Sequence, residues 1–193
     1  ILRSPTLFED MVKTLTTCNT AWSNTCTMNQ RLCEHFGQRL MHTRTGESWY
    51  SFPTPAALAR RQSRTLARKA RLGYRAPWIV QLARQFAYEN LEQRIEASRE
   101  DPDALAAHLR SITGFGPYAT ANMLQLLDHY HALPVDTELI RHMREQFGIT
   151  GTPRELARKA AAHYAQWHPY DFLVYWFELW TAHVVAPQNQ NKT

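Results

Sequence analysis

Between His108 and Leu127 the sequence reads HLRSITGFGPYATANMLQLL. An apolar helical pattern runs into a four-residue TGFG break, and a second apolar helical pattern follows. So short a break folds two helices back on each other. Gly114 and Gly116 permit positive φ and let the backbone come close to another molecule. Pro117 suits the first helical position, because it has no N–H to leave unpaired. The free N–H groups at that helix start, together with the helix dipole, favour an anion such as a phosphate. Such a glycine pair is equally the mark of an ordinary turn, so the break alone names no ligand.

A lone carboxylate follows closely. Asp136 stands in LPVDTELIRHM, with no other acid in the preceding apolar run Ala132–Val135. In that place it would cap the helix begun by TELIRHM. A helix N-terminus also favours the charged form of a carboxylate. A fixed anion in a sheltered cleft can stabilise a cationic transition state. Capping and chemistry are compatible in one residue.

The rest of the chain has helical spacing and no strand signal, which predicts a nearly all-α protein. Ser4 or Thr6 would cap a helix through FEDMVKTLTTC, and CTMNQRLCEHF would end at Gly37. Residues 38–51 read as polar and irregular. Thr54 and Pro55 start a further helix. Residues 89–103 read as a surface helix or linker, with Asp103 capping ALAAHLRSI. Thr152 and Pro153 open a helix, and DFLVYWFELWTAHVV is apolar nearly all round, which predicts burial or one wall of a cavity. The tail PQNQNKT is expected to fray.

Charge is unevenly placed. From Leu58 to Phe86 there are Arg60, Arg61, Arg64, Arg68, Lys69, Arg71, Arg75 and Arg84, with no acid. That block of +8 exceeds the net charge of +5. Solvated helix faces usually mix signs, so a one-signed block beside Tyr74 points to a polyanion. Of the 22 basic residues, 18 are Arg, whose planar fork matches phosphate.

Cys18, Cys26 and Cys33 form no C-x-x-C pair. Their near-helical spacing predicts buried free thiols in a reducing compartment, the cytoplasm of a bacterium or the nucleus of a eukaryote. His129 and His131 lack the H-x-x-x-H and H-E-x-x-H spacings, so no catalytic metal is expected. No apolar run approaches the ~18 residues of a membrane span, and no membrane partner is expected. The opening Ile1, in place of Met, leads to the expectation that a segment precedes it.

G-F-G-P-Y-A-T-A followed by L-P-V-D-T-E resembles the helix-hairpin-helix (HhH-GPD) DNA glycosylases. The resemblance covers roughly Leu2 to Val184 and is strongest in Leu109 to His142. L-G-Y-R-A at Leu72 to Ala76, and C-N-T at Cys18 to Thr20, resemble the 8-oxoguanine glycosylase branch in particular, and the chain as a whole resembles the 8-oxoguanine and 3-methyladenine branch. The resemblance implies an all-α core of two helical subdomains with a cleft between them. About 20–130, with the hairpin at 109–127, would form one; about 1–19 with 131–186 would form the other.

It also implies roles. Asp136 matches the family aspartate, which stabilises the sugar cation and orients the attacking water. Tyr118 stands where bifunctional members carry a lysine that attacks the sugar. A phenol cannot form a Schiff base, so a monofunctional enzyme using water is expected. Tyr74 matches the wedge that enters the duplex, and Arg75 the residue that meets the orphaned partner base. Asn19 matches the residue that fills the gap in the stack. Gly114, Phe115, Gly116 and Thr137 fall in the DNA-contacting segments.

For the base pocket the resemblance points to Phe172, Trp176 and Asn122, with Phe177 and Trp180 nearby. Phe172 replaces a base-reading glutamine, Asn122 a pocket cysteine, and Glu138 a phosphate-contacting histidine. These departures leave the target base open among oxidised, alkylated and mismatched bases. No cofactor is expected beyond a structural monovalent cation at the hairpin. An iron–sulfur cluster is excluded, because no cysteine follows Cys33. The expected partner is double-stranded DNA carrying a damaged or mismatched base, bound by a monomer. The rival readings are a non-catalytic module for distorted duplex and a bifunctional glycosylase/lyase.

Overall fold

The computed structural model describes residues 2–185, with side chains as far as Thr181. The tail PQNQNKT lies outside the described residues. The chain divides into two compact units, residues 1–126 and 127–193. Apart from one two-stranded ribbon, the regular elements described are helices, so the all-α class holds.

Unit 1 begins with α1 (Leu7–Thr17), whose cap is Thr6: its hydroxyl accepts the Glu9 N–H. Phe8, Met11, Val12 and Leu15 are buried. Their i, i+3, i+4, i+7 spacing makes one apolar stripe. That stripe packs against α2 (Trp22–Phe36), α5 (Arg75–Tyr88) and α8 (Pro117–Leu126). Between them lie α3 (Pro55–Ala59), α4 (Ser63–Lys69), α6 (Leu91–Ala97) and α7 (Pro102–Ser111). Residues 1–19 therefore belong with the first unit, not with the C-terminal helices as the resemblance implied.

Three local readings are corrected. Residues 38–51 are not irregular: β1 (Arg39–Met41) pairs antiparallel with β2 (Ser48–Tyr50), Leu40 opposite Trp49. All six strand residues are exposed, so the ribbon has no apolar alternation by which to announce itself. The cap of α7 is Asp101, which accepts the N–H groups of Asp103 and Ala104 at 3.0 Å each. Pro102 fills the first helical position, leaving Asp103 inside the helix. The cysteines are free, but Cys26 is exposed and Cys18 and Cys33 are only half-buried.

Unit 2 holds α9 (Thr137–Phe147), α10 (Pro153–Tyr164), a short 3₁₀ turn and α11 (Asp171–Val185). Its core is Leu139, Met143, Ala160, Tyr164, Phe172 and Tyr175. Thr152 and Glu155 form a full capping box at α10. No described helix is long and apolar enough to cross a membrane.

Candidate active site

In unit 1 the hairpin joins α7 to α8. Gly114 has φ +95°, and a Cβ there would lie 2.7 Å from the Leu15 side chain and 2.8 Å from Trp78. Glycine is required at 114 by both the backbone and the packing. Gly116 differs: it lacks positive φ and a Cβ would meet open space. Phe115 is only 2% exposed. It anchors the hairpin to the core and is not a surface contact. Gly116 and Pro117 are exposed and form the outer edge of the turn.

Tyr118, the second residue of α8, is half-buried. Its carbonyl accepts the Asn122 side-chain amide at 2.9 Å. Asn122 is thus bound back onto its own helix and belongs to unit 1, whereas Phe172 and Trp176 belong to unit 2.

Tyr74 precedes the first residue of α5, makes no capping bond with its side chain, and is 50% exposed. Its ring stands edge-on to Trp78, centroids 5.0 Å apart. Arg75 is placed otherwise than the resemblance implied, being only 6% exposed. Its Nε donates to the Leu15 carbonyl at 3.2 Å, and one terminal nitrogen donates to the carbonyls of Cys18 and Asn19. Nε and that terminal nitrogen thus face the protein, not a base outside it. Asn19 is exposed, with φ +49°.

Seven basic residues of the block are exposed: Arg60, Arg61, Arg64, Arg68, Lys69, Arg71 and Arg84. Arg84 donates to the Ala59 carbonyl at 3.2 Å. The block is thus a surface of seven cations, one of which also braces the backbone, plus the buried Arg75.

In unit 2, Asp136 is the N-cap of α9, and its carboxylate accepts the Leu139 N–H at 2.8 Å. It is half-buried. Burial pushes its carboxyl above the usual range, against the backbone N–H groups of Leu139 and Glu138, which pull it down. The sequence suggested that the helix end would hold the charged form, but desolvation outweighs that effect. Thr137 is exposed beside it. Glu138 pairs with Arg141 at 2.7 Å.

The aromatics of α11 split between two faces. Phe172, 5% exposed, and Tyr175 are core. Phe172 is therefore not the open pocket wall that was expected. Trp176, 43% exposed, stacks on Phe172 at 6.0 Å and 29°. Phe177 and Trp180 are exposed as well. The helix is neither fully buried nor evenly solvated.

Sequence reasoning missed a polar link in this unit. Glu178 of α11 accepts the Tyr164 hydroxyl at 2.6 Å and lies 3.2 Å from the buried His142 Nε2 of α9. These residues are far apart in sequence and no local pattern joins them. Trp78 was also missed, although its i+4 spacing from Tyr74 is a usable signal.

Unit 1 offers a glycine turn, an exposed tyrosine and a basic surface, and unit 2 a half-buried carboxylate at a helix start. Residues 12–166 match the model of the HhH-GPD superfamily base excision DNA repair proteins. A yeast protein (Saccharomyces cerevisiae) named N-glycosylase/DNA lyase is 28% identical over 162 residues, 77% of this chain and 42% of that protein. The 8-oxoguanine glycosylase/lyase of Clostridium acetobutylicum, solved with double-stranded DNA containing cytosine opposite 8-oxoG, superimposes with a TM-score of 0.74 at 17% identity. That match covers 91% of this chain and 59% of the other. The 3-methyladenine DNA-glycosylase of Archaeoglobus fulgidus gives 0.67 at 20% identity, over 94% and 59%. The structural likenesses show the fold, and the chain spans about two fifths of the yeast relative (42%). With the family model matched over most of its length, the chain belongs to the HhH-GPD superfamily of base excision DNA repair proteins.

Proposed function

We propose that this chain is a monofunctional DNA glycosylase that removes a damaged or mismatched base flipped out of duplex DNA. The observation that carries this reading is Asp136. It caps α9 through the Leu139 N–H, yet it is also half-buried, and burial pushes its carboxyl upward against that hydrogen bond. Such a group gains from a cation brought beside it.

The C1′–N bond breaks and its electron pair leaves on the base. Positive charge develops on C1′ and the ring oxygen, and Asp136 stabilises it. Water adds to C1′ and gives up a proton, the departed base takes up a proton from solvent, and an abasic site is left. No cofactor enters these steps. Tyr74 is the wedge and Asn19 the gap filler. Extrusion of a nucleotide costs a few kcal/mol, offset by stacking, for which Trp176, Phe177 and Trp180 offer exposed rings. The basic surface supplies sequence-independent attraction to the duplex.

A second reading is suggested by the relatives' names, which include a lyase. A lyase step of that kind needs an amine nucleophile, and Tyr118 is a phenol. Borohydride trapping separates the two: no covalent protein–DNA adduct is expected, and an adduct would establish the bifunctional reading. The main experiment is a panel of duplexes, each with one modified or mispaired base, scored for abasic sites after alkali. Release from none of them, with binding intact, would leave a non-catalytic DNA-binding module.

A further inference from the structure

Arg75 is an arginine buried where a surface arginine was expected, and its surroundings account for it. Helix α1 ends at Thr17, so the carbonyls near its end lack intrahelical partners. The guanidinium of Arg75 serves those of Leu15, Cys18 and Asn19. A cation at a helix C-terminus also complements the dipole. The same guanidinium lies 4.5 Å from the centroid of the Tyr74 ring. Tyr74 leans edge-on against Trp78, and Trp78 fills the space where Gly114 has no side chain. Leu15 closes the circuit, since its carbonyl meets Arg75 and its side chain meets Gly114. The Asn19 turn, the Tyr74 ring and the hairpin are thus joined within unit 1 through one guanidinium and one indole.

We propose that Arg75 is a positioning residue that locks the Asn19 turn to Tyr74, so that both meet the duplex as one preformed edge, and that it does not read the base opposite the lesion. This rests on the glycosylase reading for the identity of the duplex site. A reading arginine must turn its fork outward. Here that would strip the buried Leu15 carbonyl and the part-buried carbonyls of Cys18 and Asn19 of their partner, and the loss at Leu15 exceeds the gain of an ordinary hydrogen bond. Lysine cannot replace it, because a single ammonium does not span three carbonyls as a planar fork does.

The test uses the full chain as wild type, Arg75→Lys, Arg75→Ala, Tyr74→Ala and the Tyr74→Ala/Arg75→Ala double variant. Affinity is measured for duplexes carrying a tetrahydrofuran abasic analogue opposite each of the four bases, and for the intact duplex. Arg75→Ala is expected to weaken abasic-duplex binding about tenfold, by the same factor to within about twofold whichever base lies opposite. Arg75→Lys should behave like Arg75→Ala. In the Tyr74→Ala background the Arg75 change should cost little more, because the two act as one unit. A purely structural role would give an additive loss and weaken intact-duplex binding equally.

Hydrogen exchange over residues 15–21 reads the lock without DNA and should accelerate in both Arg75 variants. Unchanged exchange, or a penalty confined to one opposite base, overturns the proposal. A wild type that binds the abasic duplex no better than the intact one also overturns it. The base-release panel is a separate arm. Failure there with four equal penalties here sinks the enzyme reading and leaves the role of Arg75 standing.

Discussion

The Asp136 carboxylate receives the Leu139 backbone N–H at 2.8 Å while burial raises its proton affinity. The two influences oppose each other, and burial dominates. The folded carboxyl therefore titrates above its unfolded value. Between the two values the native state holds more proton than the unfolded chain, so this group's contribution to stability falls as pH rises through that window. The deficit persists at neutral pH.

It follows that Asp136→Asn separates stability from activity. Asparagine caps a helix about as well as aspartate and carries no charge to desolvate. The melting temperature at neutral pH is expected to hold or rise, and the difference from wild type should vanish below the unfolded carboxylate value. Base release in single turnover should fall by roughly two to three orders of magnitude. The acidic limb of the wild-type rate profile should lie above the ordinary carboxylate range. A limb within that range, or a variant that releases base normally, would sink the assignment.

The two glycines of the hairpin should respond differently. Gly114→Ala places a methyl group against Leu15 and Trp78 at a positive φ, which costs about 1–3 kcal/mol. Gly116→Ala points into open space and should stay within about 0.5 kcal/mol of wild type. Chemical denaturation of both variants checks the contrast. Equal losses would mean that the packing around Gly114 is not what fixes the turn.

How far the sequence disclosed these features depends on the range of the forces involved. Thr6 (read as one of two candidates with Ser4), Thr54 with Pro55, and Thr152 with Pro153 act within one turn of a helix, and each cap was legible. Asp136 was legible for the same reason. The ribbon at 39–50 was not, because a strand exposed on both faces has no alternation to show. Arg75 was misplaced because its partners lie 56–60 residues away. An arginine's sequence neighbours do not reveal whether it will serve carbonyls or a ligand. Phe172 and Trp176 occupy one turn of α11, yet one is core and the other exposed. Where every residue of a helix is apolar, periodicity cannot choose the buried side.

Glu178 offers a test of the second unit alone. Tyr164 is fully buried, and both its burial and its bond to Glu178 raise its hydroxyl pKa. Glu178→Ala removes the acceptor and leaves that hydroxyl without its carboxylate partner, which costs about 1–3 kcal/mol. Tyr164→Phe removes the donor instead, and the partly exposed Glu178 keeps water and His142 as company. Its loss should be nearer 1 kcal/mol or less. Thermal melts rank the two, and the reverse order would show that the tyrosine's packing, not its hydroxyl, holds this unit together.

The basic surface should reveal itself through salt. Arg64 and Arg68 stand one helical turn apart on α4, both exposed, in a block that contains no acid. If each neutralises one phosphate of the duplex, each Arg→Ala change lowers the slope of log K against log salt by about 0.9. The loss should be the same for damaged and undamaged duplex, because phosphate contacts carry no base information. Arg141 is the contrast. It is tied to Glu138 and Glu145 at 2.7 and 2.6 Å, so its charge is already offset, and Arg141→Gln should leave the slope where it was. A slope that responds to Arg141 and ignores Arg64 and Arg68 would move the duplex off the α4 surface.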